Sequence, residues 1–174
     1  MPKKPDTTPI EFLRTLFAWQ RAGLVELRAI PVKGSRKQVV RAWTKSPREI
    51  EAFATKYGKR GSEYGVYFGV CKRGQEGGSK QHVIGATCLW ADVDCVVNGH
   101  DIDTILRLVG EMPSHIQPSI VVNSGGGLHF YWLFGNDHTF PPNESFFEYV
   151  QEIEDANRVV GSLVGGDSVY DVTR

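Results

Sequence analysis

Residues 86–94, Ala-Thr-Cys-Leu-Trp-Ala-Asp-Val-Asp, carry the strongest fold signal in this 174-residue chain. Nearly every position before Asp92 is apolar, which is typical of a central strand buried on both faces. Because side chains alternate along a strand, Asp92 and Asp94 should project from the same face, roughly 6–7 Å apart at their bases. Such close carboxylates repel unless a cation lies between them. The pair predicts a Mg²⁺ or Mn²⁺ site, and the alternative is a solvated strand end with two acids.

The segments around this strand predict an α+β (mixed α/β) fold. Helix starts are indicated by Thr8-Pro9 with Glu11 and by Ser46 with Glu49, a capping Ser and an acid three residues later. Further helices are predicted over residues 101–111 and from 143 or 145 to 163, and the first helix is expected to end at Gly23. Strands are predicted at residues 24–32, 39–43, 64–70, 119–123 and 128–134, the first two forming a hairpin across residues 33–37. Residues 72–81 are polar, basic and rich in glycine, which predicts a mobile loop.

A glycine-rich hairpin forms the second candidate site, within the sequence Val-Val-Asn-Ser-Gly-Gly-Gly-Leu-His-Phe-Tyr-Trp at residues 121–132. Three consecutive glycines are costly in backbone entropy. They suit a backbone that approaches a ligand closely or presents its N–H groups to an anion. His129 and Ser124 are placed to hydrogen-bond a phosphate from either side of this turn. The alternative is a flexible turn beside a half-buried histidine.

The last ten residues, Gly-Gly-Asp-Ser-Val-Tyr-Asp-Val-Thr-Arg at 165–174, supply a third candidate site. A carboxylate after the glycine break, Asp167 or Asp171, could complete a metal site. Arg174 could bind a triphosphate through two parallel hydrogen bonds. The alternative is an ordinary loop.

Composition narrows the class of protein. The 20 Lys and Arg balance the 20 Asp and Glu, so a nucleic-acid partner would need a local basic face rather than an overall positive charge. Cys71, Cys88 and Cys95 lack the CxxC spacing of a zinc ribbon, and we expect reduced, buried thiols. No apolar run reaches membrane-spanning length. These features predict a cytoplasmic protein without a membrane partner.

Taken in order, the three candidate sites resemble the motifs of the archaeo-eukaryotic primase superfamily, in particular the primase-polymerases and RepB-type primases of mobile elements. The family's hhhDhD strand end is matched by Leu-Trp-Ala-Asp-Val-Asp at 89–94. Its S-G-x-G-x-H hairpin is matched by Ser-Gly-Gly-Gly-Leu-His at 124–129. Its third motif, an Asp followed by an Arg leading into a segment like R-L-P-G-T, is matched by Asp167 and Arg174, where the sequence stops.

The resemblance covers residues 64–174 and implies a two-lobed catalytic core with an RRM-like sheet that carries the active site. It implies a single catalytic domain over residues 1–174, with an N-terminal α/β portion at about 1–62 and a catalytic portion at about 63–174. Because the sequence stops within the third motif, we expect the domain to be truncated at its C-terminus. The implied function is template-directed nucleotidyl transfer, as a DNA primase or DNA polymerase, in the replication of a mobile element, phage or plasmid.

The resemblance also implies roles for individual residues. Asp92, Asp94 and Asp167 would hold two Mg²⁺ or Mn²⁺ ions, with Asp171 as an alternative third ligand. A nucleoside triphosphate would be positioned by the following residues: Ser124, Gly125, Gly126, Gly127, His129 and Arg174. The implied partners are a single-stranded DNA template and its primer, nucleoside triphosphates, and a fused or separate helicase or helical accessory domain.

Contacts with the template are expected from basic residues near the site. The candidates are Lys72, Arg73 and Lys80, with Lys33, Arg36 and Lys37 in the hairpin turn behind them. Both clusters could equally be solvated loops.

Three other functions share some of these features. A replication initiator that nicks DNA through a tyrosine needs a His-hydrophobic-His motif, and His-Phe-Tyr stands at residues 129–131 instead. A metal-dependent nuclease could use the same carboxylates. A non-catalytic RRM-like module that binds single-stranded nucleic acid would expose aromatic residues on a strand. Tyr131 and Trp132, or Tyr67 and Phe68, are candidates for that role, although core packing would also explain them.

Overall fold

The computed structural model describes residues 8–17, 22–59, 61–167 and 170–173, so Arg174 lies outside the described residues. Two antiparallel sheets and their surrounding helices make up the described chain. This arrangement confirms the predicted α+β fold.

The first sheet contains three strands in the order β2-β1-β3. These are β1 (Val25–Pro31), β2 (Val40–Thr44) and β3 (Tyr64–Phe68). The predicted β1–β2 hairpin is present, with Val25 opposite Thr44. Strand β3 pairs with the other edge of β1, so the N-terminal sheet extends past residue 62 to Phe68.

The second sheet contains four strands in the order β4-β5-β7-β6. These are β4 (Lys72–Arg73), β5 (Val83–Val93), β6 (Ile120–Asn123) and β7 (Leu128–Thr139). Strand β5 buries both faces, as predicted for a central strand: Cys88 and Trp90 pack into one core cluster, and Ala91 and Val93 into another. Strand β7 runs five residues beyond its predicted end at Phe134, because it resumes pairing with Gly85 and Ala86 after an irregularity in the ladder.

The helices begin largely where their capping residues predict. Helix α1 (Pro9–Leu16) starts with a capping box between Thr8 and Glu11, but it ends at Leu16 rather than at Gly23. Helix α2 (Pro47–Tyr57) is capped by Ser46. A four-residue helix, α3 (Cys95–Asn98), was not predicted, and it precedes α4 (Ile102–Glu111) and α5 (Phe146–Val164). Short 3₁₀ turns lie at Lys80–His82 and Ser114–Ile116.

Helix α5 packs against the second sheet, and the aromatic side chains of Phe17 and Phe68 join the two sheets. The backbone N–H of Trp90 in β5 donates a hydrogen bond to Asn157 of α5 (3.0 Å). Phe17 and Phe68 pack against the buried clusters of both sheets. The three cysteines are buried and unbonded to one another, as expected, and burial raises the pKa of Cys71 to about 12. In the described ranges, no helix is both long and apolar enough to cross a bilayer.

The loop predicted over residues 72–81 is wrong at both ends: residues 74–79 lie outside helices and strands, but Lys72–Arg73 is a strand and Lys80–His82 a 3₁₀ turn. Lys72 and Arg73 form strand β4, and neither side chain is exposed to solvent. The Arg73 guanidinium donates to the buried carboxylate of Glu26 (3.0 Å), and Lys72 donates to Thr139 (3.0 Å). Because both cations are enclosed by protein, Lys72 and Arg73 cannot contact a template from these positions.

Lys80, the third residue of that candidate set, is partly exposed. Its ammonium group pairs with the buried carboxylate of Glu154 (2.6 Å). The ion pair holds Lys80 against α5 rather than in an extended loop.

Candidate active site

Strand pairing between β5 and β7 places Asp92 directly opposite His129. The imidazole Nε2 of His129 lies 3.4 Å from the carboxylate oxygen of Asp92, and about two fifths of each side chain is exposed (38% and 41%). The two candidate motifs, far apart in the sequence, therefore meet on one face of the four-stranded sheet.

Asp94 follows the last residue of β5 and caps helix α3. Its carboxylate accepts a hydrogen bond from the backbone N–H of Val97 (3.0 Å). Strand β5 ends at Val93, so the side-chain alternation that would place Asp92 and Asp94 on one face ends there. Asp94 is two residues from Asp92 but caps helix α3.

Asp167 is held against the end of β5 by its backbone and its side chain. Its N–H donates to the carbonyl oxygen of Asp92 (2.7 Å), and its carboxylate accepts from the N–H of Asp94 (3.4 Å) and from the side-chain amide of Asn98 (3.0 Å). A Cβ atom on the preceding residue, Gly166, would lie 3.0 Å from the Asp92 carbonyl oxygen. The glycine thus permits the close approach that brings the third carboxylate to the first two.

Asp171 lies elsewhere. Its carboxylate accepts from the N–H of Thr173 (2.7 Å) and lies 3.8 Å from the ammonium group of Lys80. The structure therefore brings Asp92, Asp94, Asp167 and His129 together and leaves the alternative ligand apart. Asn98 also belongs to this cluster, although no sequence motif marks it.

The glycine-rich hairpin folds over the end of β5. A Cβ atom on Gly127 would lie only 2.1 Å from the carbonyl oxygen of Val93, so this position accepts glycine alone. Gly125 has φ +91°, a left-handed conformation that favours glycine. The hydroxyl of Ser124 donates to the Gly127 carbonyl (3.1 Å), which closes the turn beside His129.

The cluster has a strongly negative environment. Burial raises the pKa of the neighbouring Cys95 thiol, and the charges of Asp94, Asp101, Asp167 and Asp92 raise it further. Within the part of the chain that the structure describes, no lysine or arginine forms an ion pair with Asp92, Asp94 or Asp167. Clustered carboxylates that no lysine or arginine neutralises favour cation binding.

The oxygen-rich donor set matches Mg²⁺ or Mn²⁺ in chemistry. Among the described residues, however, no three His, Cys, Asp or Glu side chains are arranged to hold one ion. The hydrogen bonds of Asp94 to Val97 and of Asp167 to Asn98 direct both carboxylates to protein donors. Each carboxylate retains lone pairs beyond these hydrogen bonds, with which it could bind an ion.

A cleft of about 780 Å³ separates the candidate site from the first sheet. One wall carries Asp92, Ser124 and His129, and the opposite wall is formed by β1 and β3. Arg28 of β1 lines this second wall, and its guanidinium is held by two hydrogen bonds to Glu26 (2.9 Å each). No sequence motif marks Arg28, so this cleft residue was not predicted.

The fold of the chain is similar to that of a primase-polymerase domain of known structure. The structure is similar to the AEP domain of the cyanophage S-2L primase-polymerase, with a TM-score of 0.65 and 16% sequence identity. The similarity covers 95% of this chain and 77% of the cyanophage chain. No protein-family model and no curated protein matches the sequence. At this identity the likeness shows the fold, which confirms the architecture implied by the motifs.

Proposed function

We propose that this chain catalyses template-directed nucleotidyl transfer, as a DNA primase or DNA polymerase. The observation that carries the proposal is the hydrogen bond of 2.7 Å from the Asp167 N–H to the Asp92 carbonyl. It joins the third motif to the first, at the point where β7 brings His129 to Asp92. Asp92, Ser124 and His129 line the cleft, and Asp94 and Asp167 lie at the end of β5 beside Asp92.

The hairpin and His129 would bind the triphosphate of the incoming nucleotide. Backbone N–H groups in a glycine turn are suited to phosphate oxygens. His129 would donate from its imidazole to the same group, and Ser124 would support the turn. Arg174, seven residues after Asp167, is proposed as a further phosphate ligand.

Asp92, Asp94 and Asp167 would hold two Mg²⁺ or Mn²⁺ ions. Such ions, when bound, assist attack by the 3′-hydroxyl and neutralise charge on the leaving pyrophosphate. The contribution of the protein is mainly to position the reacting groups. The cleft between the sheets limits where the nucleotide and the primer end can lie.

DNA and nucleoside triphosphates are the substrates that this chemistry requires. The structurally similar cyanophage protein is named a primase-polymerase. A role in the replication of a mobile element, phage or plasmid, together with a helicase or a helical accessory domain, belongs to the same proposal.

Primer extension with the variant Asp92→Asn/Asp94→Asn tests the proposed function. Asparagine still caps a helix, so α3 should be retained while two metal-binding charges are lost. We expect nucleotide incorporation in the presence of Mn²⁺ to fall at least about a hundredfold. The matched control is Asp103→Asn, which removes an exposed carboxylate from α4 outside the site.

Thermal unfolding of each variant should show that the fold is intact. Extension by the double variant at the wild-type rate would disprove the assignment. Metal-dependent loss of the labelled template, instead of its extension, would identify a nuclease.

A further inference from the structure

We propose that Tyr67 is the surface on which the base of the nucleoside triphosphate stacks in the cleft. The inference rests on the proposed function, which requires a nucleotide in this cleft, and it adds a contact from the N-terminal sheet. Aromatic rings commonly bind nucleobases by stacking, because every base has a π-face.

Tyr67 is selected by the surroundings of the aromatic residues that line the cleft. Trp90 and Tyr131 are buried, each with 4% exposure. Phe68 packs edge-on against Phe12 and Phe17 of the core. Tyr67 has 53% exposure, and none of the described aromatic rings packs against it. Its ring is the aromatic face in the cleft that a ligand can reach.

The neighbouring glycine fixes where this ring lies. Gly65 precedes Tyr67 by two residues on β3, so both positions belong to the same face of the sheet. A Cβ atom on Gly65 would lie 2.8 Å from Cε2 and 2.9 Å from Oη of Tyr67. The ring therefore lies across the space that a larger residue would fill. Gly65 does not have a positive φ, so space rather than backbone conformation requires the glycine.

Arg28 adds a cation to the same wall. It lies directly opposite Tyr67 in the β1–β3 pairing. Its Nε and Nη2 groups donate to Glu26, and Nη2 also donates to the carbonyl of Thr173. No described residue accepts a hydrogen bond from Nη1. An aromatic face beside a guanidinium with donors to spare suits a ligand that contains both a base and phosphates.

The two walls of the cleft are then complementary to one nucleotide. The proposed phosphate-binding hairpin lies on one wall, and Tyr67 lies on the other. The volume of about 780 Å³ falls within the range of sites that hold a single small ligand. We therefore assign the stacked base to the nucleoside triphosphate rather than to the template strand.

Calorimetric titration with dATP and with inorganic tripolyphosphate, each with Mn²⁺, tests this assignment. Both probes carry a triphosphate, and only dATP carries a base. We expect Tyr67→Ala to raise the Kd for dATP about tenfold and to leave the Kd for tripolyphosphate unchanged. Tyr67→Phe keeps the aromatic face and should bind dATP within about twofold of wild type.

Gly65→Ala provides a second variant, in which the Tyr67 residue itself is unchanged. The added methyl group must displace the tyrosine ring, so dATP binding should weaken while tripolyphosphate binding does not. A Tyr67→Ala protein that binds dATP as the wild type does would overturn the proposal. An equal loss of affinity for dATP and for tripolyphosphate would also overturn it. Tyr67 would then affect binding by supporting the fold and not by contacting the base.

The same titration of Tyr67→Ala is repeated with a single-stranded oligonucleotide and with an abasic oligonucleotide of equal length. The difference between the two affinities measures the binding that depends on bases. A loss of base-dependent oligonucleotide binding, with dATP binding unchanged, would assign the ring to the template and overturn the assignment to the nucleotide. Wild-type protein that binds neither dATP nor tripolyphosphate would instead disprove the proposed function itself.

Discussion

Asp167 and Asp171 lie four residues apart and have contrasting environments. Asp167 is hydrogen-bonded to the N–H of Asp94 and to Asn98, whereas Asp171 faces Lys80. We expect Asp167→Asn to reduce Mn²⁺-dependent primer extension at least about a hundredfold, because it removes a carboxylate from the proposed metal site. Asn can still accept the hydrogen bond from Asn98, and the backbone bond to Asp92 is unaffected.

Asp171→Asn is the matched control, because it makes the same chemical change outside the cluster. Its extension rate should stay within about twofold of wild type, since a partly exposed ion pair contributes little. The two rates should be measured together on one primed template. Loss of extension in Asp171→Asn with normal activity in Asp167→Asn would transfer the role to Asp171.

At the scale of residues, the sequence predicts the site best where chemistry follows local spacing. Asp92 and His129 belong to short motifs, and the structure places them 3.4 Å apart. The buried state of Arg73 could not be predicted in the same way. It depends on Glu26, which is 47 residues away in the chain and is brought near by the joining of two sheets. No local pattern distinguishes such an arginine from one in a solvated loop.

At the scale of elements, buried strands and helix caps were predictable, and pairing irregularities were not. The apolar run of β5 and the capping residues Ser46 and Asp101 identify their elements directly. Helix α3 has only four residues, which is too short for a helical repeat to emerge. The extension of β7 depends on where its partner resumes pairing, which is a property of two strands together.

Three elements converge on one buried carboxylate, that of Glu26 on β1. Arg28 and Arg73 donate hydrogen bonds to it, and Arg41 of β2 lies 3.8 Å away. Burial by itself would raise the pKa of Glu26, but the hydrogen bond from Arg28 and the charges of the three arginines together lower it. Arg28 and Arg73 also donate to the Thr173 carbonyl, so this network ties the segment after Asp167 to the first sheet.

We expect Glu26→Gln to lower the free energy of unfolding by about 3–5 kcal/mol, because it leaves the buried Arg73 cation without a counter-charge. Urea denaturation at neutral pH measures this loss. Glu63→Gln is the control, since it removes a carboxylate from an exposed pair with Lys37 and should change stability little. Equal stability of Glu26→Gln and wild type would contradict a stabilising role for the network.

The lowered pKa of Glu26 also predicts how stability depends on pH. Because the folded state holds the proton less tightly than the unfolded state, the ionised carboxylate stabilises the fold above its ordinary pKa of 4.5. That stabilisation should be lost as the pH falls from 4.5 through the lower folded pKa. In Glu26→Gln the same pH range should show a shallower loss of stability than in wild type.

At the scale of the whole molecule, the cleft depends on the two sheets acting as one folding unit. Leu24, next to β1, and Arg73 of β4 exchange two backbone hydrogen bonds (2.7 and 2.8 Å). Phe68 of β3 packs against the buried clusters of both sheets and contacts the rings of Phe12 and Phe17. The wall that carries Tyr67 and the wall that carries Asp92 thus share core side chains. This arrangement predicts that they unfold together.

Phe68→Ala tests that cooperativity, because Phe68 is partly buried and its truncation should cost part of the roughly 3–5 kcal/mol that a fully buried phenylalanine contributes. We expect hydrogen exchange to become faster by the same factor in β1 and in β5, since both strands would exchange through one shared unfolding transition. Tyr67→Ala, the neighbouring change at an exposed position, should leave both rates close to wild type. Faster exchange confined to the first sheet would show that the sheets unfold separately. The cleft geometry would then depend on a ligand to hold its walls together.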